Sequence, residues 1–531
     1  MSQTPKLRPQ PQSPEHQAGA VDEAWGADVG QSGSDMLAVP EFTRRHLIYL
    51  LGFTVAAAVL RLWDLGTWSF WVDEAHTYRD VLMSDRAFWD SGTSRYPMSF
   101  MLLRMMKDMF GLGPTELTEQ FMRIPFAFFG IASVPALAIV ARGLVGRRAA
   151  LLASLFLTLS PWHIYWSQNA RSYSMVLFFS LAAMGTTYYG LHRRSRWQLV
   201  SAIVLCFIAG LCHPSAYAVV AALLLYIGVM VYVRRDARHW IGGKWAPLVL
   251  LVLVTLLALL ILPILRHSLN VKQSEFSLFH LIQTLVYYVG IPMLVAAGGG
   301  MLVLFDRGAR SAAFLTCMMI LPMIGLGILS SGGMQKVSAQ YAFAVLPVMH
   351  MLGAVLVISL ANVFRGKGLR PLVLRLVPLA MVVVHMLGQD FLYFNREYGW
   401  RPRWSEAVYY VKIHSRLNAD RDIRVLTTNS PSVSYYFDSV RHATVKSFDV
   451  SIVSIEPWSL GDRPEKYFRD MIELAEAEDK DLWLIVTEPG IEEKDYDGRA
   501  DVFLRNNFYQ VRRLPNWTGP KDMVVVVYHR K

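Results

Sequence analysis

The chain has 531 residues, of which 53% are hydrophobic and only 18% charged, and its mean hydropathy is +0.31. A water-soluble domain rarely carries that ratio, and runs such as "APLVLLVLVTLLALLILPIL" (Ala246–Leu265) are about the length that spans a bilayer. The formal charge of +11 does not point to nucleic acid, because the basic residues fall in short clusters between apolar runs, with no basic surface interleaved with stacking aromatics.

Residues 1–42 are rich in Pro, Gln, Gly, Ser and Ala and contain no apolar core of a signal peptide; they read as a disordered cytosolic tail. Apolar runs then predict spanning helices near 46–62, 122–141, 149–166, 173–191, 197–212, 214–233, 246–265, 280–305, 311–330, 341–363 and 371–393. Basic clusters occur at every second loop: Arg44/Arg45, Arg142/Arg147/Arg148, Arg193/Arg194/Arg196, Arg234/Arg235/Arg238, Arg307/Arg310 and Arg365/Lys367/Arg370. Placing them in the cytosol puts the N-terminus inside and the C-terminal region outside a bacterial-type inner membrane. "YPMSFMLLRMMKDMFG" (Tyr96–Gly111) is too short to span, carries Arg104 and Lys107, and would invert every later cluster. Trp63–Gln120 therefore reads as one large outer loop with amphipathic helices lying at the interface.

The three cysteines, Cys206, Cys212 and Cys317, all lie in apolar runs and offer neither a disulfide framework nor a zinc site. From about Tyr393 the composition changes. "DIRVLTTN", "DLWLIVT" and "DMVVVVYHR" read as buried strands, and "WSEAVYYVKIHSRL" and "EKYFRDMIELAEAE" as helices. "NWT" (Asn516–Thr518) matches a glycosylation sequon that has meaning only in a eukaryotic secretory pathway. The expected fold is mainly α: a polytopic transmembrane bundle over 43–395 with about eleven spans, interfacial helices in its first outer loop, and a small outer α/β domain over 396–531.

Polar residues at the outer side stand out against this background. "WSFWVDEAHTYRD" (Trp68–Asp80) sets Asp73 and Glu74 side by side with His76 and Tyr78 among aromatics. A carboxylate that loses hydration there gains basicity and can serve as a base, although a solvated loop with an aromatic belt fits the same letters. "SPWHIYWSQNARSY" (Ser160–Tyr173) holds His163, Gln168, Asn169, Arg171 and Tyr173 in the next outer loop. Arg171 runs against the positive-inside trend and asks for an anionic partner, a phosphate or the lipid headgroups. His213-Pro214 at the following outer turn, with Lys336, Gln340 and Tyr341, forms a third set, in which His213 alone is also readable as a structural hydrogen-bonding residue.

The Asp-Glu pair after the first span, followed by "RIPFAFFGIASVPALAIVARGLVGRRAALLASLFLTLSPWHIYWSQNARSYSM" (Arg123–Met175), resembles the GT-C superfamily of membrane glycosyltransferases. The nearest branch holds protein O-mannosyltransferases, the lipid A aminoarabinose transferase and rhizobial galacturonosyltransferase-like proteins. The resemblance covers roughly residues 45–395 and extends into "YGWRPRWSEAVYYVK". It implies transfer of a sugar from a polyprenyl-phosphate-linked donor to a lipid, glycan or protein acceptor on the outer face, with inversion. In that reading Asp73 is the base that deprotonates the acceptor hydroxyl, Glu74 supports it, and Arg171 meets the phosphate, with Arg95 and Lys336 behind it.

The chain departs from the family's pattern at Arg95-Tyr96-Pro97-Met98, where many relatives have His or Lys before two prolines. It departs again at Asn169-Ala170-Arg171 in place of Glu-Ala-Arg, and at Gln340-Tyr341 in place of Arg-Tyr. Absence of a carboxylate at 169 weakens any divalent-cation site, so a metal is possible but not implied, and no other cofactor is expected. A lipid-linked-sugar flippase or a non-catalytic relative are the competing classes. The first would show repeated halves and charges at mid-span, and the second would tolerate loss of Asp73.

Overall fold

The computed structural model describes residues 39–233, 252–255, 278–307, 309–331, 338–364, 368–418, 422–438, 450–455, 464–487, 491, 498–515 and 524–531. The run at 246–265 falls almost entirely outside them, as do Lys336, the NWT sequon and residues 1–38 of the N-terminal tail. Helix α1 (Arg44–Leu62) starts at Thr43, whose hydroxyl sits 2.8 Å from the His46 ring. Its Leu47, Leu51, Val55 and Val59 are exposed while Arg61 is buried. An apolar outer stripe with a polar group hidden inside inverts the pattern of a soluble helix and suits lipid.

The first loop folds into α2 (Val72–Leu82), α3 (Asp85–Asp90) and α4 (Met98–Phe110). At 13 residues α4 is too short to cross a bilayer. It buries Phe100 and Leu103 and exposes Met101, Met105 and Met109 at four-residue spacing, as an interfacial helix does. The bundle continues with α5 (Glu119–Val145), α6 (Arg147–Thr158), α7 (Pro161–Ser167), α8 (Tyr173–His192), α9 (Arg196–Cys212) and α10 (Ala216–Val233). Beyond the undescribed stretch come α11 (Leu278–Val289), α12 (Ile291–Arg307), α13 (Ala309–Ser331), α14 (Leu346–Val363) and α15 (Leu369–Asn395).

Two predicted spans are broken. The run 149–166 stops at Thr158 and restarts as α7, because Ser160 caps the new helix through its hydroxyl and Pro161 occupies its first turn. The run 280–305 bends by 99° between α11 and α12 at Gly290, whose φ is +82° and whose missing Cβ leaves room for the His385 ring. Among the described residues six helices are long and apolar enough to cross a membrane, or seven if the bent pair is one span; α9 and α10 are apolar but shorter. The chain is a multi-pass membrane protein.

The polypeptide leaves α15 through a left-handed turn at Tyr398, Gly399 and Trp400 (φ 50°, 59° and 55°). It then enters α16 (Trp404–Asn418), β1 (Ile423–Thr427), α17 (Ser430–Asp438), β2 (Val450–Ser454), α18 (Pro464–Ala477), β3 (Asp481–Thr487), α19 (Arg499–Asn507), β4 (Phe508–Leu514) and β5 (Val525–Arg530). The five-stranded sheet has the order β2-β1-β3-β5-β4. β1 pairs in parallel with β2 and β3, and β5 joins β3 and β4 antiparallel. The three anticipated strands are β1, β3 and β5; β2 and β4 are the two edges.

The domain does not hang free of the bundle. The Ser69 hydroxyl accepts the Ser405 amide hydrogen (3.1 Å), and the Tyr436 hydroxyl accepts that of Phe70 (2.6 Å). A Cβ on Gly399 would sit 2.5 Å from the Trp68 ring. Gly399→Ala is therefore expected to cost about 1–3 kcal/mol. Gly388→Ala, where nothing lies within 4 Å, leaves stability unchanged or slightly raised. Thermal unfolding of the two variants in detergent makes the comparison.

Candidate active site

Glu74 lies in the first turn of α2 and is completely buried. Its Oε1 accepts from Arg123 Nε and from the Ala170 amide, both at 2.8 Å. Its Oε2 accepts from Arg123 Nη2 (2.9 Å), the Trp71 amide (3.3 Å) and Arg401 Nε (3.3 Å). Burial alone would push this carboxyl up. The guanidiniums of Arg123 and Arg401, with the Ala170 amide, outweigh it and hold Glu74 below the usual carboxylate range. Arg123 spends its remaining donors on the Leu65, Trp68 and Ser69 carbonyls at 2.9–3.1 Å. Arg401 reaches the Gly399 and Gln168 carbonyls and the Tyr393 hydroxyl.

With its lone pairs filled, Glu74 is not open to a substrate. Its neighbour is. Successive residues on a helix point about 100° apart, so the helix that buries Glu74 turns Asp73 outward. The Asp73 side chain keeps 34% exposure, and among the described residues its carboxylate accepts no hydrogen bond. Among the described residues the cation nearest to it is Arg171, Nη2 to Oδ2 at 3.9 Å, too long for a hydrogen bond. Arg171 Nη1 lies 3.4 Å from the Thr77 hydroxyl, and its buried Nε meets no partner. His76, half-buried beside them, is lowered by burial and then by Arg79, and its Nδ1 has no hydrogen-bond partner.

Around this pair the bundle assembles rings. Tyr173 packs on Trp166 (centroids 4.0 Å apart) and on His213 (4.8 Å). His213 in turn stacks on Tyr341 at 6.0 Å and faces Tyr96 at 6.2 Å. The Tyr173 and Tyr341 hydroxyls lie within electrostatic reach of both Asp73 and Arg171, and Gln340 hydrogen-bonds to Tyr341. His213 Nδ1 accepts from the Ser215 amide at 3.2 Å, which places a neutral ring's proton on Nε2. Burial, then Arg171, pushes His213 down to about 3, so the ring is uncharged at neutral pH.

The structure thus brings together Asp73, Arg171, Tyr173, His213, Tyr341, Gln340 and Tyr96; Arg95 is exposed beside Tyr96. His163 lies elsewhere. It is fully buried with Nδ1 2.6 Å from Arg61 Nη2, and it stacks on Phe343. Asn169 is buried as well, its carbonyl accepting from Trp71 Nε1 at 3.4 Å. Tyr78 turns away to donate to the Pro114 carbonyl and to pack on Tyr435. Among the described residues no group of three or more His, Cys, Asp or Glu side chains is placed to hold a metal ion.

Sequence reasoning missed the supports. Gln168 donates to the carbonyls of Leu60, Arg61 and Trp63 at the end of α1 and accepts from Tyr393 at 2.8 Å. Glu119 accepts from Tyr435 (3.2 Å) and Tyr436 (3.0 Å) of the C-terminal domain. A charged residue just inside an apolar span, as Arg123 is, was the signal available for its role.

Comparison with solved structures gives the fold. The chain is similar to ArnT from Cupriavidus metallidurans bound to undecaprenyl phosphate, with a TM-score of 0.55 and 14% identity over 91% of this chain and 97% of that one. It is also similar to the archaeal oligosaccharyltransferase AglB from Archaeoglobus fulgidus in complex with an inhibitory peptide and a dolichol-phosphate. There the TM-score is 0.52 and the identity 12%, over 91% of this chain and 74% of that one. No protein-family profile and no curated protein matches the chain. The chain shares the fold of these two solved structures, the fold that the Asp-Glu pair and the Arg123–Met175 run implied.

Glu74 makes stability depend on pH with a definite sign. A carboxyl held down in the folded state stabilises at pH values above its unfolded value, and the contribution is lost as pH falls through the lowered one. Unfolding midpoints are expected to be flat near neutrality and to drop below about pH 4.5, the ordinary glutamate value. Glu74→Gln lowers the neutral midpoint and shallows that acid limb. Arg123→Ala, which strands a buried anion, costs about 3–5 kcal/mol.

Proposed function

We propose that the chain is a glycosyltransferase that moves a sugar from a polyprenyl-phosphate-linked donor to an acceptor hydroxyl at the outer face of the membrane, with inversion. The observation that carries this reading is Asp73: a partly exposed carboxylate with no hydrogen-bond partner among the described residues, fixed beside an arginine by a saturated glutamate one residue away. The fold supports it, since the similar ArnT and AglB structures hold undecaprenyl phosphate and dolichol-phosphate.

The acceptor's O–H gives its proton to Asp73 while its oxygen forms the new bond to the anomeric carbon. The bond from that carbon to the phosphate oxygen breaks, and the electron pair leaves with the polyprenyl phosphate. Arg171 stabilises the charge that builds on the departing phosphate. In the free protein it rests loosely on Asp73; a phosphate is the stronger partner for a guanidinium with an open Nε, so donor binding frees the base. The rings of Tyr96, Tyr173, His213 and Tyr341 supply walls for the sugar, with Gln340 and Arg95 at the rim. The first outer loop and the 396–531 domain lie on the outer side, and residues 1–42 in the cytosol, as the basic clusters require.

Transfer is measured with purified protein in nanodiscs, using a panel of polyprenyl-phosphate sugars and crude envelope acceptors. Asp73→Asn is expected to lose at least about a hundredfold in kcat with unchanged folding, because the change is nearly isosteric and removes the base. Wild-type-like turnover in that variant removes Asp73 from the mechanism and favours a binding or transport role. Arg171→Ala is expected to raise the KM for the lipid donor about tenfold or more, and more than Lys336→Ala does. Equal effects of the two mean that the phosphate lies elsewhere.

A further inference from the structure

Residues at and beyond the end of the last membrane helix reach into the centre of the site. Arg401 is fully buried, and its fork points two ways: Nε to the Glu74 carboxylate (3.3 Å) and Nη2 to the Gln168 carbonyl (2.5 Å). Glu74 is the residue after Asp73, and Gln168 stands three residues before Arg171. Arg123, by contrast, bonds only to the first loop, at Leu65, Trp68, Ser69 and Glu74. Arg401 therefore spans the two loops that carry the proposed base and the proposed phosphate ligand. Its ring neighbours, Tyr165 at 5.2 Å and Trp68 at 5.7 Å, belong to the same two loops.

The backbone is built to deliver this side chain. Tyr398 and Trp400 adopt left-handed conformations that L residues rarely take. What holds them is packing. The Trp400 ring sits among Tyr165, Tyr287, Tyr288 and Tyr393 with centroids 5.2–5.6 Å away, and its indole N–H donates to Glu397. Strain maintained by surrounding packing, next to a reactive pair, points to a geometric requirement rather than an accident of chain path.

We propose that Arg401 is a positioning residue for the transfer reaction: by holding Glu74 and Gln168 together it sets the separation of Asp73 from Arg171, and so makes the segment that opens the outer domain part of the active site. This rests on the reading of Asp73 as the base. Arg401 touches neither substrate. Its planar fork matters because lysine, a point charge, can satisfy one of the two loops but not both.

The test compares wild type, Arg401→Lys, Arg401→Ala and Asp73→Asn as full chains in nanodiscs, with the transfer assay above. Arg401→Lys keeps the charge and most of the packing and is expected to fold with an unfolding midpoint close to wild type. Its kcat is expected to fall about ten- to a hundredfold, the scale of a misplacement near 1 Å. Added methylguanidinium restores turnover to Arg401→Ala and not to Asp73→Asn. Arg401→Ala removes one of the two guanidiniums beside Glu74, so Glu74 protonates at a higher pH and the acid limb of kcat moves upward in that variant. A role confined to stability lowers the amount of folded enzyme without moving that limb. Wild-type kcat in folded Arg401→Lys, or an unmoved limb in Arg401→Ala, overturns the inference. If Asp73→Asn itself retains activity, the failure belongs to the functional reading instead.

Discussion

Everything at the end of the bundle that meets the C-terminal domain depends on one buried carboxylate. Glu74 gathers donors from its own loop (Trp71), from the span that follows (Arg123), from the second outer loop (Ala170) and from the segment beyond the last span (Arg401). A charge removed from water is tolerated only when it is fully hydrogen-bonded and paired, and that requirement makes the four segments meet in one arrangement. The cost of stranding any partner is what converts local bonds into a global constraint.

The constraint explains why two acidic residues stand side by side. Helical geometry sends their side chains in different directions, so fixing Glu74 inward fixes Asp73 outward without any direct bond to Asp73. Among the described residues the Asp73 carboxylate is left with spare lone pairs, and the Arg171 guanidinium, 3.9 Å away, is too distant to occupy them. Rigidity and availability, which compete in a single residue, are divided between two.

Much of this was legible before the fold was known, and what was hidden was hidden for physical reasons. Strands β1, β3 and β5 announce themselves as apolar runs because the sheet covers them well; β2 ("VSIVS") and β4 ("FYQVRRL") are edges, partly wet, and their composition carries no such mark. The α6–α7 break has its cap and proline in plain view, yet the apolar run across it reads as continuous; the α11–α12 bend turns on a single glycine. Asp73, Arg171, His213 and Tyr341 were findable because topology places them at one end of their spans. The Glu74 contacts were not, since Arg123 and Arg401 lie 49 and 327 positions along the chain and no periodicity links residues so separated. His163 and Asn169 share a loop with Arg171 but not its surroundings, because His163 turns inward onto Arg61 and Asn169 is buried against Trp71.

The long separation has a further meaning for how the protein is made. Phe70 waits for Tyr436, 366 residues downstream, and Glu74 waits for Arg401. At ribosomal rates of roughly 5–20 residues per second, the first outer loop is inserted on the order of half a minute before the groups that complete it are synthesised. The membrane helices can be in place while Glu74 still lacks its Arg401 bond, so this cluster closes only after residue 401 has been synthesised. A nascent chain can thus be inserted with its Glu74 carboxylate still short of one of its two guanidiniums.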